Sequence, residues 1–394
     1  MLIDPRPPMS YTSAQSGDNY RNWWPHPVMT AFTNDSIDEL DRLADDTGNI
    51  FNMTRGGYVL ATRREDIDAF RAAIQPGVDV SFVQGVGVHE KFPALATDIR
   101  NVIHIRRGGD ISGQQLGTWM LDQVRSNGGK LLRGAVSAIS KDGRFTLEIA
   151  GAADTPKVTA DVVVNAAGPF AHRVADMLGE KLPVRNVFEQ KVAFEDRVGA
   201  IPRDMPFSID LDEKMLGWTE DERTLLASDQ ELAWLTRALP AGTHCRPEGG
   251  ARGTWVKLGW AYNHTASEPQ EDLANEPLSD PQFPEIVMRG AAAFIPALAP
   301  YIDSPPTRYS HYGGYYTMTD ENWPLIGPMA TDGAYMVAAL SGFGSMSACA
   351  AGKLCAAHVR GGMLPGYADA LSSRRYDNAG LMDELRNATS KGVL

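Results

Sequence analysis

Tyr335-Met-Val-Ala-Ala-Leu-Ser-Gly-Phe-Gly-Ser-Met-Ser-Ala-Cys-Ala-Ala-Gly352 decides how this chain folds. Its first six residues predict a buried strand, Ser341-Gly-Phe-Gly344 a tight glycine turn, and Ser347 to Val359 a helix of small residues, Lys353 excepted. A strand that ends at glycines and opens a helix leaves backbone N–H groups free at the helix start. Their partial positive charge suits a phosphate, a carboxylate or an electron-rich ring. A lone Gly-x-Gly reads equally well as ordinary strand-to-helix packing, so the surrounding sequence must decide.

Outward from that stretch the chain is α/β at both ends. Met1-Leu-Ile-Asp4 predicts a short buried strand closing on an acid, and Asp35 to Asp46 a helix through Ile37, Leu40 and Leu43. Gly57 to Thr62 predicts a strand, and Ser112 to Asn127 a helix with Leu116, Met120, Leu121 and Val124 on one face. Leu131 to Ile139 and Phe145 to Ile149 predict a strand pair. Asp161-Val-Val-Val-Asn-Ala-Ala-Gly168 is the clearest buried strand, running into a helix from Pro169 to Leu178. From Arg185 to Arg308 the chain is rich in Trp, Pro and charge, and the alternation in Thr254 to Tyr262 predicts an antiparallel sheet.

With 394 residues, 43% of them hydrophobic, the chain has room for two domains. A formal net charge of -12 leaves no basic stripe to neutralise phosphates, which excludes a nucleic-acid partner in favour of a small molecule. Cys245, Cys349 and Cys355 have no ligand spacing and predict buried thiols in a reducing cytoplasm. No apolar run is long enough to span a bilayer, and the N-terminus lacks signal-peptide regions. No zinc-site spacing and no Gly-x-Ser-x-Gly elbow is present, which speaks against a metal centre and a hydrolase.

Two further features carry chemistry. Asp4 at a strand end is placed to accept hydrogen bonds from a ribose diol, although a strand-terminal Asp is also a common turn former. Asn165-Ala-Ala-Gly168 is a small-residue turn that lets backbone approach a ligand, or equally lets a helix pack on a sheet.

In their order, Asp161 to Pro169, the helix after Gly109-Asp-Ile-Ser-Gly113, Tyr316-Thr-Met-Thr-Asp-Glu-Asn-Trp-Pro-Leu-Ile-Gly327 and Ser341-Gly-Phe-Gly344 resemble the D-amino acid oxidase and sarcosine oxidase family of flavoproteins. Leu2-Ile-Asp4 with Thr12-Ser-Ala-Gln-Ser-Gly-Asp18 and Arg21 looks like that family's second Rossmann strand and flavin-crossing loop. The resemblance implies an α/β (α+β) fold in which a discontinuous Rossmann-like FAD-binding domain (1–54, 110–185 and 312–394) meets an antiparallel-sheet substrate domain (55–109 and 186–311). It implies Asp4 on the adenosine ribose, Ser13 and Ala14 near the pyrophosphate or flavin ring, and Val136 beside the adenosine. Ala167 and Gly168 would approach the middle of the cofactor. Gly342, Phe343, Gly344, Ser345 and Met346 would meet the pyrimidine edge, where a helix start stabilises negative charge.

The chain departs from the family in three places. Sarcosine oxidases carry the flavin on a cysteine just before the Tyr-Thr-Met-Thr run; Gly314 or Tyr315 stands there, which predicts non-covalent FAD. Met346 stands where those enzymes have a lysine, which predicts a different, bulkier or less acidic amine. The strand and Gly-x-Gly-x-x-Gly turn that precede Asp4 in the family are not in the sequence, and a start assigned too late, a fragment or a true loss each accounts for that.

The activity implied is oxidation of a carbon–nitrogen bond by hydride transfer to the flavin, with the protein supplying orientation and charge. No catalytic residue is singled out. A substrate carboxylate calls for a cation, and Arg21 and Arg246 are the candidates, each with the alternative of stacking on a tryptophan. Trp24, Tyr262 and Tyr316 are candidate aromatic walls for an amine, with Trp23, Trp260 and Tyr315 beside them. His244 and His311 lie near these segments, the ordinary reading of each being structural. The competing class is a truncated or non-catalytic flavoprotein-like subunit of a heteromer. A homo- or hetero-oligomer is compatible with either reading.

Overall fold

The computed structural model describes residues 1–152, 154–273 and 280–387. The chain opens with β1 (Leu2–Asp4), a 3-10 turn (Thr12–Gln15), β2 (Asn19–Arg21) and the long helix α1 (Pro27–Thr47). It continues through β3 (Tyr58–Thr62), α2 (Asp68–Ala72), β4 (Val80–Gln84), α3 (Val86–Lys91), β5 (Asn101–Ile105) and β6 (Gly108–Asp110) into α4 (Gly113–Ser126). Next come β7 (Leu131–Arg133), β8 (Ala135–Asp142), β9 (Arg144–Ala150), β10 (Lys157–Ala160), β11 (Val163–Asn165) and α5 (Ala171–Met177). The middle holds β12 (Arg185–Glu195), β13 (Phe207–Asp210), α6 (Glu220–Ser228), β14 (His244–Glu248), β15 (Trp255–Gly259), α7 (Phe283–Phe294) and α8 (Pro300–Asp303). The last elements are β16 (Tyr309–Met318), β17 (Leu325–Pro328), β18 (Ala334–Ala338), α9 (Gly344–Arg360) and α10 (Ala379–Asn387).

The expected α/β fold is what forms. One eight-stranded sheet, in the order β16-β12-β15-β14-β13-β3-β5-β4, is antiparallel except where β13 runs parallel to β3. It draws its strands from two separate stretches, 58–105 and 185–318. The other half holds the parallel strands: β1 pairs with β7, and β11 with β18, which β17 joins on its far side antiparallel. β8, β9 and β10 make a meander, with a bulge between Val136 and Ala138.

The helices follow from local chemistry. α1 begins at Pro27, whose missing N–H costs nothing at a first helical position, and the ring of His26 accepts from Val28 N–H. It ends on Gly48 in the left-handed conformation. Met29, Phe32, Ile37 and Leu40 are buried along one stripe, each contributing roughly 1.5–3 kcal/mol by leaving water. α1 packs against α9, where Ala350 and Ala351 keep the helices close enough for Ser36 Oγ to accept from Ala350 N–H at 3.3 Å.

Two expectations need correction. β1 and β11 are short and open on one side: Leu2 is 44% and Val164 45% exposed, so neither strand is buried on both faces. α4 forms where expected, yet of its four apolar residues only Leu116 is buried and Val124 is exposed. Among the described residues no helix is long and apolar enough to cross a membrane.

Candidate active site

The turn after β18 is wound into a rare conformation. Ala339, Ser341 and Gly342 have φ of 56°, 40° and 81°; for the two non-glycines that costs roughly 1–2 kcal/mol each. Hydrogen bonds hold it there. Ser341 N–H donates to Thr317 O at 3.2 Å, and the Ser341 hydroxyl donates to Asn322 Oδ1. Phe343, which precedes α9, offers no side-chain cap. The first N–H groups of this 17-residue helix are therefore left for another acceptor.

A loop from the other end of the chain closes over that helix start. Ser16 Oγ and Ser345 Oγ are 2.8 Å apart, and Ser345 Oγ also donates to Asp18 Oδ1 at 3.3 Å. The second oxygen of Asp18 accepts from Gly113 N–H, the first residue of α4, at 3.0 Å. One carboxylate thus ties the loop to two helices. Ser13 and Ala14 lie just before it in the 3-10 turn.

Between this loop, the Ser341–Phe343 turn and the face of the large sheet lies a pocket. One wall is apolar, formed by Tyr58, Phe207, Ile209, Met318, Phe343 and Met346. The other is charged. Arg246, half of whose work is holding Asp110, also pairs with Glu248 at 2.8 Å, and Lys257 reaches the same Glu248 at 2.8 Å. This cluster of two cations and two carboxylates is internally neutral. His244, hydrogen-bonded to Gly242 O at 2.9 Å, is pushed down to about 4 by burial and stays neutral.

Glu189 and Lys191 also line the pocket, both 5% exposed. Among the described residues the Glu189 carboxyl has no hydrogen-bond or ion-pair partner; burial, only partly offset by Lys191, pushes it up to about 8. Lys191 donates to Gln15 O at 3.3 Å, lies 5.5 Å from the Tyr316 ring centre, and is pulled down by burial. Gln190, between them, turns to the opposite face and meets His311 at 2.8 Å.

Of the expected substrate residues, Tyr316 and Arg246 line this pocket. Arg246 brings a guanidinium already shared by two carboxylates. Arg21 is fully buried and stacked, 4.0 Å from the Trp24 ring and 4.9 Å from that of Tyr58, and none of its guanidinium nitrogens has a hydrogen-bond partner. It is Tyr58 that lines the cavity, with Arg21 behind it. Trp24 supports Phe343 edge-on from the core at 5.1 Å. Tyr262 packs against Phe283 with its hydroxyl on Asp280, outside the residues lining the pocket.

Of the expected cofactor residues, Asp4, Ala167, Gly168 and the Gly342–Met346 stretch follow the carboxyl ends of the parallel strands β1, β11 and β18, while Ser13 and Ala14 lie in the 3-10 turn and Val136 in β8. Asp4 ends β1, its Oδ1 accepting from Arg6 N–H at 2.7 Å. Asn165 ends β11, and its side chain holds the following turn by accepting from Ala167 N–H and donating to Ala171 O. Gly168 has φ of 55° with open space beside it. Val136, at the bulge, shares an apolar cluster with Ile3, Leu132 and Val163. Sequence reasoning missed Glu189, Lys191 and Lys257; the local signal in β12 is a charge at two alternate positions between the apolar pairs Val187-Phe188 and Val192-Ala193. No group of three metal-ligating side chains stands together among the described residues.

The family described as FAD dependent oxidoreductase matches the chain over residues 1–358. Similar solved structures include L-proline dehydrogenase from P. horikoshii (18% identical, TM-score 0.72, covering 94% of this chain and 88% of that one). Glycine oxidase from Geobacillus kaustophilus is 16% identical with a TM-score of 0.71, over 94% and 90% of the two chains. Iminodiacetate oxidase from Chelativorans sp. BNC1 is 17% identical with a TM-score of 0.63, over 88% and 83%. At these identities the likeness is one of fold. No curated protein matches the chain.

Proposed function

Because this chain belongs to the FAD dependent oxidoreductase family, we propose that the bond it oxidises is the carbon–nitrogen bond of an amino acid or N-substituted amine. The observation that carries this reading is the uncapped start of α9, reached through the left-handed Ser341–Gly342 turn and opening beside a pocket with one apolar and one charged wall. The names of the similar structures, which refer to proline, glycine and iminodiacetate, support the substrate class.

The residues present suit FAD at both ends of the site. Gly342 presents backbone without a side chain, and the free N–H groups from Gly344 to Met346 suit the carbonyl-bearing edge of the ring, where negative charge gathers. Arg21 lends a positive charge to the floor without a carboxylate to cancel it. Asp4 and the Ala167–Gly168 turn lie where ligands meet parallel strands, outside their carboxyl ends. Ser13, Ala14 and Val136 complete the proposed contacts.

Bound FAD supplies the hydride acceptor, and the imine that results hydrolyses in water. The chain's own residues orient the substrate and exclude water. Tyr316 and the apolar wall receive its carbon skeleton, and the charged wall its polar groups. In the division proposed from sequence, the large sheet apart from residues 312–318 of β16 would be the substrate half, and the parallel strands with α1, α4 and α9 the FAD half.

The test is a spectrum. Purified protein is expected to show the flavin absorbance bands, or to acquire them on adding FAD, and to be bleached anaerobically by members of an amino acid and amine panel. Absence of uptake, or uptake with no bleaching by any amine, would remove this reading.

A further inference from the structure

Two ionisable side chains in the pocket, Glu189 and Lys191, lack the charged partners that burial ordinarily brings. Buried carboxyl and ammonium groups are ordinarily paired or fully hydrogen-bonded, because desolvation of an isolated charge is costly. Arg246, Lys257, Asp110 and Glu248 satisfy one another. Glu189 and Lys191 do not. No described residue gives Glu189 a hydrogen bond or ion pair, and Lys191 spends one of its three N–H donors, on a backbone carbonyl. They stand two apart on β12, hence on one face of the strand about 7 Å apart along it, and both line the pocket. Gln190, pointing the other way, confirms that alternation.

Their complement is a small molecule carrying an anion and a cationic or N–H-bearing amine a few ångströms apart. We propose that Glu189 and Lys191 form a two-point clamp for the α-amino acid zwitterion, Lys191 holding its carboxylate and Glu189 its amine. The remaining lining chooses the rest of the molecule. Tyr58, Phe207, Ile209, Met318 and Met346 make the apolar part of that lining, while the polar Asp18, Asn19, His244, Asn322 and Ser341 are engaged in hydrogen bonds within the protein and the ion cluster is neutral. The substrate is therefore an amino acid with an apolar side chain or apolar N-substituent. Burial raises the Glu189 carboxyl and lowers the Lys191 amine, the state expected of a pair awaiting a ligand.

This inference rests on the amine-oxidising reading, and the experiment separates the two. Flavin-loaded protein is titrated by calorimetry with cyclohexanecarboxylate and with cyclohexylamine, each carrying one half of the zwitterion, and its bleaching by an amino acid panel is followed alongside. Wild type is expected to bind both probes. Lys191→Met loses at least tenfold in affinity for the carboxylate and keeps the amine; Glu189→Gln does the reverse; Lys191→Arg restores carboxylate binding in part. Circular dichroism and flavin content verify that each variant is folded, and should Lys191→Met not fold, Lys191→Gln paired with Glu189→Gln carries the same comparison. Equal affinities of wild type and both variants for both probes, or binding of neither probe by wild type, would overturn the clamp while bleaching by amino acids upholds the oxidation chemistry. Selective loss in the variants without any bleaching would uphold the clamp and remove the oxidation chemistry.

Discussion

The ring of Tyr316 closes the space over Gly342: a Cβ built on Gly342 would stand 2.4 Å from Tyr316 Cε2. Strand β16 and the turn into α9 thus meet with room for one hydrogen atom. The contact links the aromatic wall of the pocket to the uncapped start of α9.

Gly342→Ala violates both constraints at once. Its φ of 81° costs a non-glycine roughly 1–2 kcal/mol, and the added methyl must displace Tyr316 or the turn. The variant is expected to fold, with a flavin dissociation constant raised at least five- to thirty-fold, the factor that 1–2 kcal/mol represents. Fluorescence titration with FAD measures it, and unchanged affinity would show that the turn does not touch the cofactor.

Arg375 fastens the segment beneath that turn. It is fully buried, donating to Glu321 Oε1 at 2.6 Å, Pro324 O at 2.6 Å and Trp323 O at 3.2 Å, and Glu321 adjoins the Asn322 that holds Ser341. Arg375→Met leaves the buried Glu321 carboxylate without its cation and with the Tyr376 hydroxyl at 2.9 Å as its remaining donor, a loss of about 3–5 kcal/mol. Thermal unfolding is expected to show a Tm drop of several degrees, most of it regained in Arg375→Met combined with Glu321→Leu.

The contrast between these two sites tells what sequence can convey. The strand, turn and helix around Gly342 were legible because their signals are local: an apolar run, glycines, then small residues. α1 starts eight residues before the apolar periodicity that predicts it, because its cap is His26, an unusual capping residue, followed by Pro27 at the first helical position. The apolar runs of β1 and β11 predict burial, but such a run does not say whether both faces are covered. Glu189 and Lys191 were missed altogether. Their meaning comes from pairing β12 with β15 and β16 and from a loop some 170 positions earlier, and no local pattern carries that.

Glu189 gives the protein a pH signature. Its carboxyl is raised from the usual range to about 8 by burial, so the folded state holds a proton that the unfolded chain releases near 4.5. The stability it contributes is whole below about 4.5 and is lost as pH rises through about 8. The amount is on the order of a few kcal/mol. Urea midpoints between pH 5 and 9 are expected to fall more steeply for wild type than for Glu189→Gln, and parallel curves would show the carboxyl to be ionised throughout.

The flavin is expected to come away without breaking a bond. A cysteinyl link needs a thiolate at the ring, and burial pushes Cys245 up to about 12, Cys349 up to about 11 and Cys355 upward too. None of the three lines the pocket. Gly314 or Tyr315 stands at the place expected for a carrier cysteine; neither brings a thiol, and a Cβ on Gly314 would sit 3.2 Å from Gln15 Cβ. Acid precipitation should therefore leave the yellow colour in the supernatant with a colourless pellet. A yellow pellet would mean a covalent link through another lining residue, with His244 and His264 the first to examine by mass spectrometry of the flavin peptide.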